Sequence, residues 1–203
     1  ILLLRDTARI EPRAIQLIRK RTVASMLGAD ARAQLQRIAG QPVTVLEEAT
    51  AATCDTKLRA LFPQLQESLY FCTGLAAEAA VFSAAAEVLG PKPVSLFYAQ
   101  NGYGGTGQLI SDLLARSGAI LPRPLVVIGK DEGGQRLTLV DRVLAGIAEL
   151  EGAPACVFLE TPTNPELQAH DFEALMKGVR ADAQRWGRKV PIIVDTTLAP
   201  LFP

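Results

Sequence analysis

The chain has 203 residues, 49% of them hydrophobic, and its 21 Lys and Arg balance 21 Asp and Glu to a formal net charge of zero. That balance offers no electrostatic footprint for nucleic acid or an anionic membrane surface, and the longest apolar runs are of strand length, well short of a bilayer span. A cytoplasmic globular protein with a sizeable core is expected, and Cys54, Cys72 and Cys156 read as buried thiols in a reducing compartment rather than as a disulfide framework.

The opening Ile1-Leu-Leu-Leu4 lacks the flanks of a signal peptide, and a start at Ile with a stop shortly after a strand suggests a fragment or a processed chain. Residues 1–67 read as an N-terminal helical segment to which no function is assigned. Apolar spacing predicts helices from Arg13 to Arg21, from Ala31 to Ile38 and from Thr56 to Gln66, with Gly28, Gly40 and Pro42 as punctuation.

From residue 68 the pattern changes to strands alternating with helices of ten to fifteen residues, which indicates a three-layer α/β domain with a mainly parallel sheet. The expected strands are Ser68 to Cys72, Val94 to Tyr98, Leu125 to Ile128, Ala155 to Glu160 and Pro191 to Asp195. The expected helices follow Thr73-Gly74 to near Gly90, then Gln108 to Ser117 closed by Gly118, Val140 to Glu151, and Asp171 to Trp186. In such a sheet the last βαβ unit brings Asn164 and Asp195 to the same carboxyl edge, where ligands are held.

Four stretches could carry chemistry. At Thr73-Gly74-Leu75 a strand passes into a helix, so free N–H groups and the positive dipole end suit a phosphate; an ordinary Thr cap would look the same. The run Gly102-Tyr-Gly-Gly-Thr-Gly107 satisfies G-x-G-x-x-G with Asp131 some way beyond, which leaves a nicotinamide-dependent oxidoreductase as a rival reading, or a glycine turn without a ligand. Glu160-Thr-Pro-Thr-Asn-Pro165 is a proline-stiffened loop that would hold the Asn164 amide in a fixed place. Asp195, closing a β-branched strand, should face a cation, a metal or a protonated ring nitrogen, or else cap the following turn. The solitary His170, at a helix start, reads as structural and leaves little material for a metal centre.

Together and in order, Thr73-Gly-Leu-Ala-Ala77, Tyr103-Gly-Gly-Thr106, Glu160-Thr-Pro-Thr-Asn-Pro165 and Val194-Asp-Thr-Thr197 resemble the Cys/Met-metabolism family of pyridoxal-phosphate enzymes over about residues 68–200. The resemblance implies a fold-type-I cofactor-binding domain over 68–203, incomplete at its C-terminal end, in a homo-oligomer that acts on a sulfur-containing amino acid by β- or γ-elimination or replacement. It implies that Thr73, Gly74 and Leu75 seat the cofactor phosphate, that Tyr103 stacks on the pyridine ring, and that Asn164 lies near the ring hydroxyl. By the same token Asp195 bonds the ring nitrogen and Thr197 sits beside the ring. A carboxylate there keeps the ring protonated and electron-withdrawing. The family's cofactor-bearing lysine has no counterpart among Lys20, Lys57, Lys92, Lys130, Lys177 and Lys189, so this chain alone is not expected to turn over. Its Tyr-x-Arg segment is missing before Thr73, Asp-Asn-Thr-Phe is replaced by Asp195-Thr-Thr-Leu198, and Leu121 to Arg136 reads as an insertion. An aminotransferase or decarboxylase of the same fold, and a catalytically dead assembly partner, stay open as alternatives.

Overall fold

The computed structural model describes residues 28–43, 50–130, 133–134, 136–164 and 167–199. The helix expected from Arg13 to Arg21, and Asp131 of the nicotinamide reading, lie outside them. The chain divides into two compact units, Ile1–Lys57 and Leu58–Pro203. The first contributes α1 (Gly28–Ile38). The helix α2 (Ala51–Leu61) starts five residues earlier than the spacing suggests, because the Thr50 hydroxyl accepts the Thr53 N–H at 3.2 Å, and it stops before Pro63.

The second unit is built on four parallel strands in the order β2-β1-β5-β6: β1 (Val94–Ala99), β2 (Ile120–Leu125), β5 (Ala155–Glu160) and β6 (Ile192–Asp195). Every residue of β1 and β5 is buried, as the near-continuous apolar runs require of strands covered on both faces. Alternate side chains serve opposite layers. Phe97, Ala99, Val157 and Leu159 pack with Leu139, Val143 and Ile147 of α5 (Leu139–Glu149) and with Leu175 and Val179 of α6 (Phe172–Trp186). Val94, Leu96, Tyr98, Cys156 and Phe158 pack on the other side against Phe82 of α3 (Gly74–Val88) and against Leu109 and Ile110. The three-layer arrangement expected from the strand–helix alternation is therefore present.

Local chemistry sets the helix ends. Thr73 caps α3, Thr138 and Asp141 form a reciprocal capping box on α5, and Asp171 accepts the Ala174 N–H at 2.9 Å to start α6. Gly187, in the left-handed region at φ 62°, ends α6. Just beyond it, the half-buried Arg188 pairs with Asp182 at 2.7 Å and donates to the carbonyls of Ile147 and Ala153, tying the ends of α5 and α6 to the start of β5.

Several sequence expectations are corrected. Residues 68–72 pair with no described strand, and Leu69 is 83% exposed: the β-forming composition is there, but a strand exists only where a neighbour completes its hydrogen bonds. The strand expected from Leu125 to Ile128 is instead β2, beginning at Ile120, with Pro122 and Pro124 inside it. The odd-numbered carbonyls of Ala119 and Leu125 face β1, so the proline nitrogens, at even positions, point to the outer edge where no N–H is needed. The suspected insertion contains most of β2 and all of β3 (Ile128–Lys130), which pairs antiparallel with β4 (Arg136–Thr138). The helix expected from Gln108 starts earlier and changes pitch, passing from α4 (Gly104–Gln108) through a π-helical turn (Leu109–Leu114) to a 3-10 turn (Ala115–Ser117), with Gly118 left-handed at φ 71°. Of the cysteines only Cys156 is buried, its thiol pushed up to about 12 by desolvation, whereas Cys72 is exposed because the strand expected around it does not form.

The Phe82 ring, wholly buried, meets Phe158 edge-on at 5.2 Å and carries the contact between α3 and the sheet. Phe82→Ala is expected to lower unfolding stability by about 3–5 kcal/mol in a denaturant titration. An unchanged midpoint would show that α3 does not pack on this face.

Candidate functional site

Because the four strands run parallel, β1, β5 and β6 all finish on one edge, and the residues that follow them meet there. Register makes the meeting specific: Glu160 and Asp195, the last residues of β5 and β6, are paired partners, and the Thr161 N–H donates to the Asp195 carbonyl at 2.8 Å. Across β5 from Asp195, the loop after β1 returns over the sheet, and the Tyr103 N–H donates to Glu160 Oε1 at 2.7 Å. The Asn164 backbone N–H also favours the ionised form of the Glu160 carboxylate. Thr106, 2% exposed, then donates its hydroxyl toward both oxygens of Glu78, at 3.0 and 2.9 Å, which brings the first turns of α3 to the same place.

Glu78 lies one helical turn beyond Gly74. The Thr73 hydroxyl accepts the Ala76 N–H at 3.1 Å and the Thr73 carbonyl accepts that of Ala77, which leaves the N–H groups of Gly74 and Leu75 as the open donors of a helix start. Thr73, Gly74 and Leu75 are all exposed. Tyr103 is 51% exposed, and a small cleft beside it is lined by Tyr98, Ala99, Thr106, Gly107, Phe158 and Glu160. Asp195 is half-buried. One of its oxygens, Oδ1, accepts the Thr197 N–H at 2.8 Å and the Thr197 hydroxyl, so the carboxylate caps the turn and still presents a second oxygen at the edge. The structure thus gathers Tyr103, Asn164, Asp195 and Thr197 around the ends of β5 and β6 and sets the Thr73–Leu75 helix start one turn from Glu78.

Three carboxylates share this edge without an ion-pair partner among the described residues. Burial pushes the Glu78 carboxyl up to about 7; the Thr106 hydroxyl opposes that, and Asp195 and Glu160 add like-charge repulsion. Glu160 is raised by burial as well, against two backbone N–H bonds that favour its ionised form, and Asp195 raises it further. Neither Glu78 nor the role of Glu160 stands out in the sequence. Glu78 looks like a solvated residue of an Ala-rich helix, and only its 28-residue link to Thr106 reveals it. His170 is placed as a structural group, its Nε2 3.1 Å from the Glu160 carbonyl oxygen, with its pKa lowered by burial.

The glycine run has local reasons. A Cβ at Gly102 would stand 2.6 Å from Glu160 Oε1, and one at Gly105 would stand 2.4 Å from the Tyr103 ring. The Gly102 and Tyr103 N–H groups are used within the protein, on Ala99 and Glu160. Those two groups are therefore not open to a pyrophosphate.

No family model matches the chain, and no curated protein does either. Among solved structures it is similar to cystathionine gamma-lyase from Lactobacillus plantarum complexed with L-serine, with a TM-score of 0.45 and 26% identity over 65% of this chain and 28% of that one. It is also similar to O-acetylhomoserine sulfhydrylase of Wolinella succinogenes, with a TM-score of 0.43 and 29% identity over 62% of this chain and 30% of that one. A third, metB from Corynebacterium glutamicum, has a TM-score of 0.37 and 20% identity over 56% of this chain and 25% of that one. The chain thus covers less than a third of the length of each.

The raised Glu78 carboxyl makes a signed prediction. Its folded pKa of about 7 exceeds the ordinary 4.5, so its contribution to stability is fully present below pH 4.5 and is lost as pH rises through 7. Relative to Glu78→Gln, the parent should lose on the order of 1 to 2 kcal/mol across that window, a half-exposed group keeping only part of the about 1.4 kcal/mol per pKa unit. Denaturant melts of both proteins at several pH values measure it; a difference independent of pH would contradict the placement of Glu78.

Proposed function

We propose that this chain forms the cofactor-holding face of a pyridoxal-phosphate enzyme of the Cys/Met-metabolism type, acting on a sulfur-containing amino acid by elimination or replacement. The observation that carries the proposal is the convergence of an aromatic ring, a carboxylate and an open helix start on one sheet edge, in the order the motifs predict. Each has a complementary part of the cofactor. The Gly74 and Leu75 N–H groups suit a phosphate. The Tyr103 ring, bent over the glycine at 105, offers an exposed apolar face to a planar heterocycle. Asp195 keeps one oxygen for a ring N–H while Thr197 fixes the other.

When bound, the cofactor supplies an electron-withdrawing ring that stabilises a carbanion on the substrate. The protein's part is positional and electrostatic. Asp195 would hold a proton on the ring nitrogen, since an opposite charge close by favours the charged form. Tyr103 fixes the ring plane and so determines which substrate bond stands perpendicular to it. Asn164, just after β5, would lie near the ring hydroxyl. Lys92 and Lys189 come just before β1 and β6, at the opposite edge of the sheet. Binding without turnover is the expected behaviour of these 203 residues alone.

Equilibrium dialysis of pyridoxal phosphate against the full chain tests the reading, with cofactor fluorescence as a second measure. Loss of a charge-assisted hydrogen bond in Asp195→Ala should weaken binding about 10- to 100-fold. A parent that retains no pyridoxal phosphate overturns the proposal; a variant that binds as well as the parent overturns the role of Asp195.

A further inference from the structure

We infer that Glu160 is the positioning residue of this site, a latch whose buried carboxylate sets the Tyr103 loop and the Asn164 loop in one register, and that Gly102 lacks a side chain in order to admit it. What the two loops hold rests on the cofactor reading above; the latch itself does not.

Glu160 is 6% exposed and, among the described residues, no lysine or arginine pairs with it. An acid buried without a cation is costly, so its retention needs a compensating bond set. That set consists of backbone donors: the Tyr103 N–H at 2.7 Å on one side and the Asn164 N–H on the other. Because both donors are main-chain groups, the carboxylate fixes the points from which the Tyr103 ring and the Asn164 amide project. A carboxylate accepts on both oxygens, whereas the glutamine amide turns one acceptor into a donor.

The same carboxylate lies where a side chain at 102 would begin, 2.6 Å from Oε1 and 3.2 Å from Cδ to an ideal Cβ. Glu160 is the final residue of β5, and its backbone is paired with Asp195, so it cannot retreat without disturbing the strand that delivers the other half of the site. Gly102 and Glu160 are therefore one device: the loop closes over the acid only because nothing projects from position 102.

A merely structural acid would change overall stability and nothing specific. The latch makes a local prediction, read by amide hydrogen exchange in the full chain. In Glu160→Ala and Glu160→Gln, exchange at the Tyr103 and Asn164 amides should speed up about tenfold or more, the loss expected for a hydrogen bond to a charged group. The Val157 amide, bonded to the Pro191 carbonyl inside the sheet, should not change. Gly102→Ala should reproduce the effect at Tyr103. With pyridoxal phosphate bound, its visible circular dichroism should fall by about half or more in Glu160→Ala. Unchanged exchange at both amides overturns the latch, as does equal acceleration at Val157 or dichroism that survives Glu160→Ala. A parent that binds no pyridoxal phosphate instead overturns the proposed function and leaves amide exchange to decide the latch.

Discussion

Parallel pairing of β5 with β6, in the register that sets Glu160 opposite Asp195, is the constraint on which the site depends. It is fixed by burial. β5 is enclosed on both faces, and its alternating side chains interlock with α5 and α6 on one side and with Phe82 on the other. A slip by one residue would exchange the two sets of side chains and separate the paired carboxylates, so the hydrophobic core and the functional edge are specified by the same contacts.

Around that fixed edge the remaining groups are held by polar bonds rather than by packing. Backbone N–H groups of two loops meet one buried acid, a threonine hydroxyl meets another, and a third acid caps its own turn. The accumulation of carboxylates adds like-charge repulsion to the burial that chiefly raises the proton affinity of Glu78 and Glu160. It also creates an environment in which a protonated heterocyclic nitrogen is favoured, so the electrostatics of the protein and the electronic demand of the proposed cofactor point the same way.

Much of this was legible from residue types. Strand-length apolar runs ending in Asn, Asp and Thr locate β5 and β6, because a parallel strand must be apolar until it reaches the edge and polar once there. The cap at Thr73 and the helix start at Asp171 follow from the chemistry of helix ends. Non-local pairing was not legible. Residues 68–72 have strand composition and no described partner, while β2 contains two prolines that argue against a strand until its edge position is known. Glu78 was hidden for the same reason, since a single acid in an alanine-rich helix acquires its meaning from Thr106, a residue in another motif.

The central claim is that Asp195 holds a proton on a heterocyclic nitrogen at this edge. Nitrogen-15 resonance of ring-labelled pyridoxal phosphate, bound to the full chain at neutral pH, tests it most directly. A pyridinium signal in the parent that moves to the neutral-pyridine position in Asp195→Ala is the predicted result. A neutral-pyridine signal in the parent would contradict it.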